Sequence, residues 1–139
     1  MKKAVIEATE NFCSTILSAS LEEGDIRGKS FYGAAISLYE NEAEHIWYLL
    51  FKRDTLGEIA QNLLFEDDLC EDDLDDLLKE ISNQIVGSAK VILQQKYPHH
   101  NYKLSVPEFM GHVCEPFPFQ LQEMFCYQVK EKTFIIGRQ

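Results

Sequence analysis

The sequence is poor in basic residues. Its 13 lysines and arginines stand against 23 aspartates and glutamates, and the formal net charge is −10 at pH 7. Binding to nucleic acid or to an anionic membrane surface depends on clustered lysine and arginine. Basic residues occur here at most in small pairs, such as Lys2 with Lys3 and Lys130 with Lys132. The composition therefore argues against both kinds of ligand.

Paired cysteines and long apolar runs are also lacking. The four cysteines are scattered, without a C-x-x-C pair: Cys13, Cys70, Cys114 and Cys126. Met1 to Lys3 leads into a helical pattern that contains glutamates, unlike the apolar segment of a signal peptide. No apolar run approaches the roughly 20 residues of a membrane span. These features predict a cytoplasmic protein with reduced thiols.

Common catalytic and metal-binding motifs are missing as well. There is no glycine-rich phosphate loop and no G-x-S-x-G nucleophile motif. Residues 66–76 hold eight carboxylates but no glycine, so they suit a solvated helix N-terminus better than a calcium loop. The pair His99–His100 and the pair His112 and Cys114 do not match a known zinc pattern. The sequence therefore predicts no metal or cofactor in this chain.

What is present is the composition of one globular domain, which we predict to span residues 1–139. Hydrophobic residues make up 45% of the chain, including 9 Phe, 6 Tyr and 1 Trp. A domain of this size buries roughly two-thirds of its unfolded surface and needs no disulfide or metal to fold.

Periodicity predicts an α+β fold. The predicted helices are residues 3–19, a short helix opened by a capping box of Thr55 and Glu58, and a long helix that ends before Pro98. The predicted strands are residues 30–39, 44–52, 102–106, 117–129 and 132–136, with a hairpin between the first two and a turn at Lys130–Glu131. This order favours a two-layer sandwich, in which long helices pack on a largely antiparallel sheet.

The long helix carries its apolar side chains on one stripe: Leu74, Leu77, Leu78, Ile81, Ile85, Ala89 and Ile92. At 100° per residue, Glu80, Asn83, Gly87 and Gln94 fall on the opposite side, facing solvent. A glycine inside a helix costs about 1 kcal/mol relative to alanine. Two interpretations remain open: the exposed face merely tolerates such residues, or a partner approaches it closely.

The spacing Asp76-x3-Glu80-x2-Asn83, with Gly87 one turn later and Pro107 beyond, resembles the signature of the CheC/CheX/FliY family. Pro107 comes one residue later than the family pattern has it. The matching stretch of the first helix, Glu7-Ala8-Thr9-Glu10, lacks the asparagine of a second motif. A single motif in a chain of this length is most similar to CheX, which implies a homodimer.

The family dephosphorylates the chemotaxis response regulator CheY. The resemblance therefore implies that Asn83 orients the hydrolytic water and that Glu80 docks the active-site lysine of the receiver. Asp76 and Gln84 are expected partner contacts, and Mg²⁺ is expected in the receiver rather than in this chain. For Gly87 we predict a partner contact of another kind, in which the missing side chain gives the receiver clearance. Two other functions stay open: a non-catalytic binding module for a receiver or a flagellar-motor component, and a purely structural dimer module.

Overall fold

The computed structural model describes residues 1–17, 22–23, 30–63, 70–114, 117, 119–129 and 132–139. Within these residues lie three helices: α1 (Lys2–Leu17), α2 (Arg53–Leu63) and α3 (Glu71–Lys96). The strands are β1 (Glu22–Glu23), β2 (Ser30–Glu40), β3 (Ala43–Phe51), β4 (Tyr102–Leu104), β5 (Glu108–Cys114), β6 (Glu123–Val129) and β7 (Lys132–Arg138). None of these helices is long and apolar enough to cross a membrane.

The strands form one antiparallel sheet. Their order is β1-β6-β7-β3-β2, and both β4 and β5 pair with the outer edge of β2. The β2–β3 hairpin turns at Asn41, whose φ of 54° lies in the left-handed region that asparagine tolerates. The predicted α+β fold with an antiparallel sheet and packed helices is confirmed.

The main hydrophobic core lies between the helices and one face of the sheet. It joins the buried side of α3 to Ala8 and Phe12 of α1 and to Trp47 and Leu49 of β3. The buried residues of α3 are Leu74, Leu77, Leu78, Ile81, Ser82, Ile85, Val86, Ala89 and Leu93, while Ile92 is partly buried. The predicted apolar stripe is therefore confirmed.

A smaller apolar cluster covers the other face of the sheet. Phe31 and Ile135 lie at its centre, and Phe117 and Phe119 pack against it. The ring of Phe119 stacks on Tyr48 at a centroid distance of 4.0 Å. These contacts explain why the predicted strand 117–129 is too long: its first aromatic residues pack across the sheet, and β6 starts only at Glu123.

Strand β5 was not expected, and the predicted strand 102–106 is too long because β4 ends at Leu104. Pairing between β2 and β5 shifts register between Gly33 and Ala34, opposite Gly111 with φ of 75°. This bulge breaks the alternation of apolar and polar residues by which a strand is recognised in a sequence.

The predicted capping box at Thr55 is wrong. Helix α2 already begins at Arg53, and Thr55 is buried. Its hydroxyl donates a hydrogen bond to the carbonyl oxygen of Thr133 at 2.9 Å, so it ties α2 to β7 instead of capping the helix. The proposed turn at Lys130–Glu131, the end of the first predicted helix beyond residue 17 and the acidic residues 66–68 lie outside the described residues.

Helix α3 begins and ends with local hydrogen bonds. The backbone N–H of Cys70 donates to the carboxylate of Asp73 at 3.1 Å, and the acidic residues of the first turn suit the positive end of the helix dipole. At the other end the N–H of Tyr97 donates to the carbonyl of Leu93, and Pro98 follows, as predicted.

A hydrogen-bonded clamp joins the β2–β3 hairpin to the start of β4. The backbone N–H of Asn41 donates to the carbonyl oxygen of Asn101, and the backbone N–H of Asn101 donates to the side-chain oxygen of Asn41. The Tyr102 hydroxyl donates to Glu40 Oε2 at 2.6 Å. This hydrogen bond lowers the pKa of the Glu40 carboxyl, while burial and the same carboxylate raise the pKa of Tyr102 to about 12. The clamp fixes β4 beside α3.

Replacing Tyr102 with phenylalanine should lower the free energy of unfolding at pH 7 by about 1 kcal/mol, because it removes one hydrogen bond to a charged group. The value is modest because the Glu40 side chain is 32% exposed. Because the pKa of Glu40 is lowered in the folded protein, its ionisation stabilises the fold at pH values above the ordinary carboxyl pKa of 4.5. That stabilisation is lost as the pH falls through the lowered pKa.

Urea unfolding of wild type and Tyr102→Phe, from pH 7 down to about pH 3, measures this difference. The difference in unfolding free energy between the two proteins should shrink at pH values below the ordinary carboxyl pKa. Tyr39→Phe is the control, because the Tyr39 hydroxyl bonds Glu44 on the exposed surface and should contribute less. A pH-independent difference for Tyr102→Phe would show that the clamp does not act through the carboxylate.

Candidate functional site

The polar face of α3 is exposed along most of its length. Glu80, Asn83 and Gln94 are exposed, as the helical spacing predicts, and Asp76 is exposed as well. Gly87 is the exception: it is half-buried, so the prediction that it faces solvent is only partly correct. The reason is a tertiary one, because β4 lies against this part of the helix.

The Glu80 carboxylate is oriented by its own helix. Gln84, one turn later and half-buried, donates a hydrogen bond from Nε2 to Glu80 Oε1 at 2.9 Å. In the described part of the chain no lysine or arginine forms an ion pair with Glu80; Lys79 pairs instead with Asp75 at 2.9 Å. The Glu80 carboxylate is thus oriented by Gln84, while its negative charge is not neutralised by a lysine or arginine of the described chain.

The Asn83 side chain makes no hydrogen bond within the part of the chain that the structure describes. Its amide therefore presents both an acceptor oxygen and two N–H donors to solvent. Residues three apart on a helix have Cβ atoms about 5–6 Å apart, so a single ligand group can touch Asn83 and Glu80 together. The two side chains form an acidic and amide pair on a rigid element.

Gly87 lies next to β4. A Cβ atom on Gly87 would lie 3.8 Å from Leu104 Cδ2, which is an ordinary van der Waals distance. The glycine has no positive φ, so the fold does not require it. An alanine would fit here and would favour the helix by up to about 1 kcal/mol.

The loop between β4 and β5 borders the same face. Ser105 binds β2 twice: its N–H donates to the Ser37 carbonyl, and its hydroxyl accepts from the Ser37 N–H, both at 2.9 Å. Pro107, the proline of the sequence signature, is buried. Between them Val106 is 87% exposed. The sequence gives no sign of this exposure, since a valine in a predicted strand is normally expected in the core.

The other candidate groups are engaged elsewhere. His100 contacts Glu40 at 3.5 Å, and His112 contacts the Ser30 hydroxyl and the Cys114 thiol. Among the described residues, no three His, Cys, Asp or Glu side chains are placed to hold a metal ion. None of the four cysteines, all of which lie in the described part of the chain, forms a disulfide, and burial raises the pKa of Cys13 to about 12. Trp47 is buried in the core.

The region of α1 that corresponds to the motif carries no equivalent pair. Glu7 and Glu10 are exposed, whereas Thr9 between them is buried and donates to the carbonyl of Val5 at 2.7 Å. The position three residues after Glu7 is a second carboxylate, and the exposed amide of Asn11 lies one residue outside the spacing of the motif. The candidate site is therefore confined to α3 and its neighbours within the described chain.

A protein-family model described as "Chemotaxis phosphatase CheX" matches residues 32–113. This stretch is more than half of the chain and includes Glu80, Asn83 and Pro107. The chain belongs to the CheX family. No curated protein sequence matches it significantly.

Solved structures of CheX and related proteins share the fold of this CheX-family chain. CheX from Vibrio vulnificus has 18% identity to this chain and a TM-score of 0.79. The match covers 98% of this chain and 93% of the Vibrio vulnificus chain. The CheX–CheY–BeF₃–Mg²⁺ complex from Borrelia burgdorferi matches with 15% identity and a TM-score of 0.70, covering 98% and 94%. FliY from Thermotoga maritima matches with 16% identity and a TM-score of 0.62, covering 96% and 83%.

Replacing Gly87 with alanine should raise the free energy of unfolding by up to about 1 kcal/mol, because the new methyl group fits beside Leu104. If the glycine provides clearance for a partner, the same change should weaken binding of that partner. Urea unfolding measures the first effect, and titration with a phosphorylated CheY-type receiver measures the second.

Gly57→Ala is the matched control. Gly57 lies inside α2, and a Cβ there would have no neighbour within 4 Å. It should stabilise the fold similarly and leave partner binding unchanged. If Gly87→Ala binds the receiver as tightly as Gly57→Ala does, the clearance role of Gly87 is wrong.

Proposed function

We propose that this CheX-family protein is a phosphatase for a phosphorylated CheY-like receiver domain. The observation that carries the proposal is Asn83: an exposed amide without a hydrogen bond in the described chain, on a 26-residue helix, beside a carboxylate that Gln84 orients. The family description supports the same activity. The site lies on a rigid helix, as precise positioning requires.

The reaction is hydrolysis of the aspartyl phosphate of the receiver. A water oxygen attacks phosphorus, the bond from phosphorus to the aspartyl oxygen breaks, and aspartate and inorganic phosphate remain. Such phosphoryl transfer depends chiefly on the position of the nucleophile and on charge stabilisation. The water donates a hydrogen bond from one of its protons to the amide oxygen of Asn83, which so aligns the water opposite the leaving oxygen. An amide is too weak a base to remove that proton.

Glu80 docks the receiver. Its carboxylate has no cationic partner in the described chain, so it is open to the lysine of a receiver active site. An ion pair between Glu80 and that lysine would place Asn83 over the phosphoryl group. Asp76, one turn before Glu80 and also exposed, adds negative charge on the same approach.

Magnesium belongs to the partner in this proposal. The Borrelia burgdorferi relative is a complex of CheX with CheY, BeF₃ and Mg²⁺. By this likeness, the phosphorylated receiver supplies both its phosphoryl group and its metal ion, and this chain supplies Asn83 and Glu80. A cytoplasmic homodimer, also expected from the CheX resemblance, remains part of the proposal, and sedimentation in solution would test the dimer.

Replacing Asn83 with alanine should lower the rate constant for dephosphorylation about 10²–10³-fold, as loss of one positioned polar group does in other active sites. Binding of the receiver should persist, because Glu80 is unchanged. Glu80→Lys should abolish binding, because the new lysine would repel the active-site lysine of the receiver. Loss of the phosphoryl group from a phosphorylated receiver with Mg²⁺ measures the rate, and calorimetry with the BeF₃-activated receiver measures binding.

Asn11→Ala is the control, since Asn11 is an exposed helical amide on α1 and should leave both quantities unchanged. Wild-type protein that binds the receiver but leaves its spontaneous decay rate unaltered would contradict the phosphatase proposal. That outcome would favour the non-catalytic binding module instead.

Gln84→Met removes the hydrogen bond to Glu80 and keeps the length of the side chain. A hydrogen bond of this kind contributes about 0.5–1 kcal/mol at an exposed site, so KM for the receiver should rise about two- to fivefold. The rate constant at saturation should not change, because Gln84 acts through Glu80. A loss confined to the rate constant would mean that Gln84 itself contacts the reacting groups.

A further inference from the structure

We infer that Val106, together with Val91, forms an apolar contact in the docking surface for the receiver. This inference rests on the proposed function and names a further part of the same site. The occupant is the surface of the receiver that surrounds its phosphorylated aspartate, and not a second copy of this chain.

Val91 lies on the same helix as the Glu80 and Asn83 pair, and Val106 lies on the chain segment that follows β4, which packs beside Gly87. Val91 is one turn beyond Gly87 on the same side of α3, and eight residues of helix place it about 12 Å from Asn83. Gly87 lies beside Leu104, and Val106 is two residues further along an extended chain, about 7 Å from Leu104. Val106 and Val91 therefore flank the half-buried Gly87.

The position of Val106 is fixed by its neighbours. Before it, Ser105 is held to Ser37 by two hydrogen bonds of 2.9 Å. After it, Pro107 is buried and has a restricted φ. The valine side chain is thus presented to solvent on a constrained backbone, and a partner would bind it with little loss of conformational freedom.

Neither valine contributes much to the fold through burial. Val106 is 87% exposed and Val91 is 51% exposed, while Pro107 next to Val106 is buried. Only two other large hydrophobic residues of the described chain are exposed, Tyr97 and Met124. Two of the four thus lie on the face that carries Glu80 and Asn83.

Interface size identifies the receiver as the occupant. A stable interface buries about 800 Å² on each partner, which corresponds to a disc of about 16 Å radius. An interface of that size centred on Asn83 extends over Val91, about 12 Å away along the helix, and towards Val106 beyond Leu104. Interfaces place apolar contacts near such polar pairs, where exclusion of water strengthens the polar interactions.

Val106→Asp tests the inference. With the phosphorylated CheY-type receiver and Mg²⁺, KM should rise at least tenfold, and the rate constant at saturation should stay within twofold of wild type. Calorimetry with the BeF₃-activated receiver should show the same loss of affinity, and Val106→Ile should retain wild-type affinity. The thermal midpoint should not change, because the side chain is exposed. Met124→Asp is the control: it adds the same charge at an exposed apolar residue of β6 and should leave KM unchanged.

The outcomes separate the two proposals. If wild type hydrolyses the phosphoryl group and Val106→Asp has a wild-type KM, the docking role of Val106 is overturned and the phosphatase proposal stands. If wild type binds the receiver without hydrolysis and Val106→Asp weakens binding, the docking surface is supported and the phosphatase proposal fails. If wild type binds no CheY-type receiver of its organism, both proposals are overturned.

Discussion

Burial of one side of α3 determines the rest of the structure. Nine residues of this helix are buried against α1 and the sheet, and most of them are aliphatic. Burying each large aliphatic side chain contributes about 1.5–3 kcal/mol, whereas the half-buried Gly87 costs only about 1 kcal/mol relative to alanine. A rotation of the helix by one residue would move this stripe by 100° and turn Glu80 towards the core. The apolar residues therefore hold Glu80 and Asn83 outward, although neither contributes to the packing.

The same periodicity explains why this part of the structure could be predicted from the sequence. Leu74 to Ala89 repeat at helical spacing over several turns, so the helix, its buried stripe and the exposure of Glu80 and Asn83 all follow from local geometry. The half-burial of Gly87 could not be predicted, because it depends on Leu104 from a strand 17 residues away. The capping role predicted for Thr55 is wrong for a similar reason, because its hydroxyl donates to the Thr133 carbonyl across the fold.

The β-rich end was harder to predict because its residues pack on two faces. Phe117 and Phe119 resemble strand residues in the sequence, yet they cover the far face of the sheet. Strand β5 contains a bulge at Gly111, and its alternation is lost there. Val106 was expected inside a strand, but the bonds of Ser105 and the burial of Pro107 turn it out to solvent. The single-domain organisation over residues 1–139 stays a prediction.

The proposed chemistry suits a surface of this kind. In the proposed complex the receiver brings the phosphoryl group and Mg²⁺, so this chain needs neither a metal site nor a deep pocket. It needs one neutral hydrogen-bonding group held at a fixed position, and an amide on a packed helix meets that need because it does not titrate and cannot move far. In the proposed complex Glu80, oriented by its hydrogen bond from Gln84, sets the orientation of the receiver, while the neighbouring apolar residues supply contact area. The proposal assigns rate and affinity to different side chains of one face, because in the proposed complex only Asn83 reaches the reacting water.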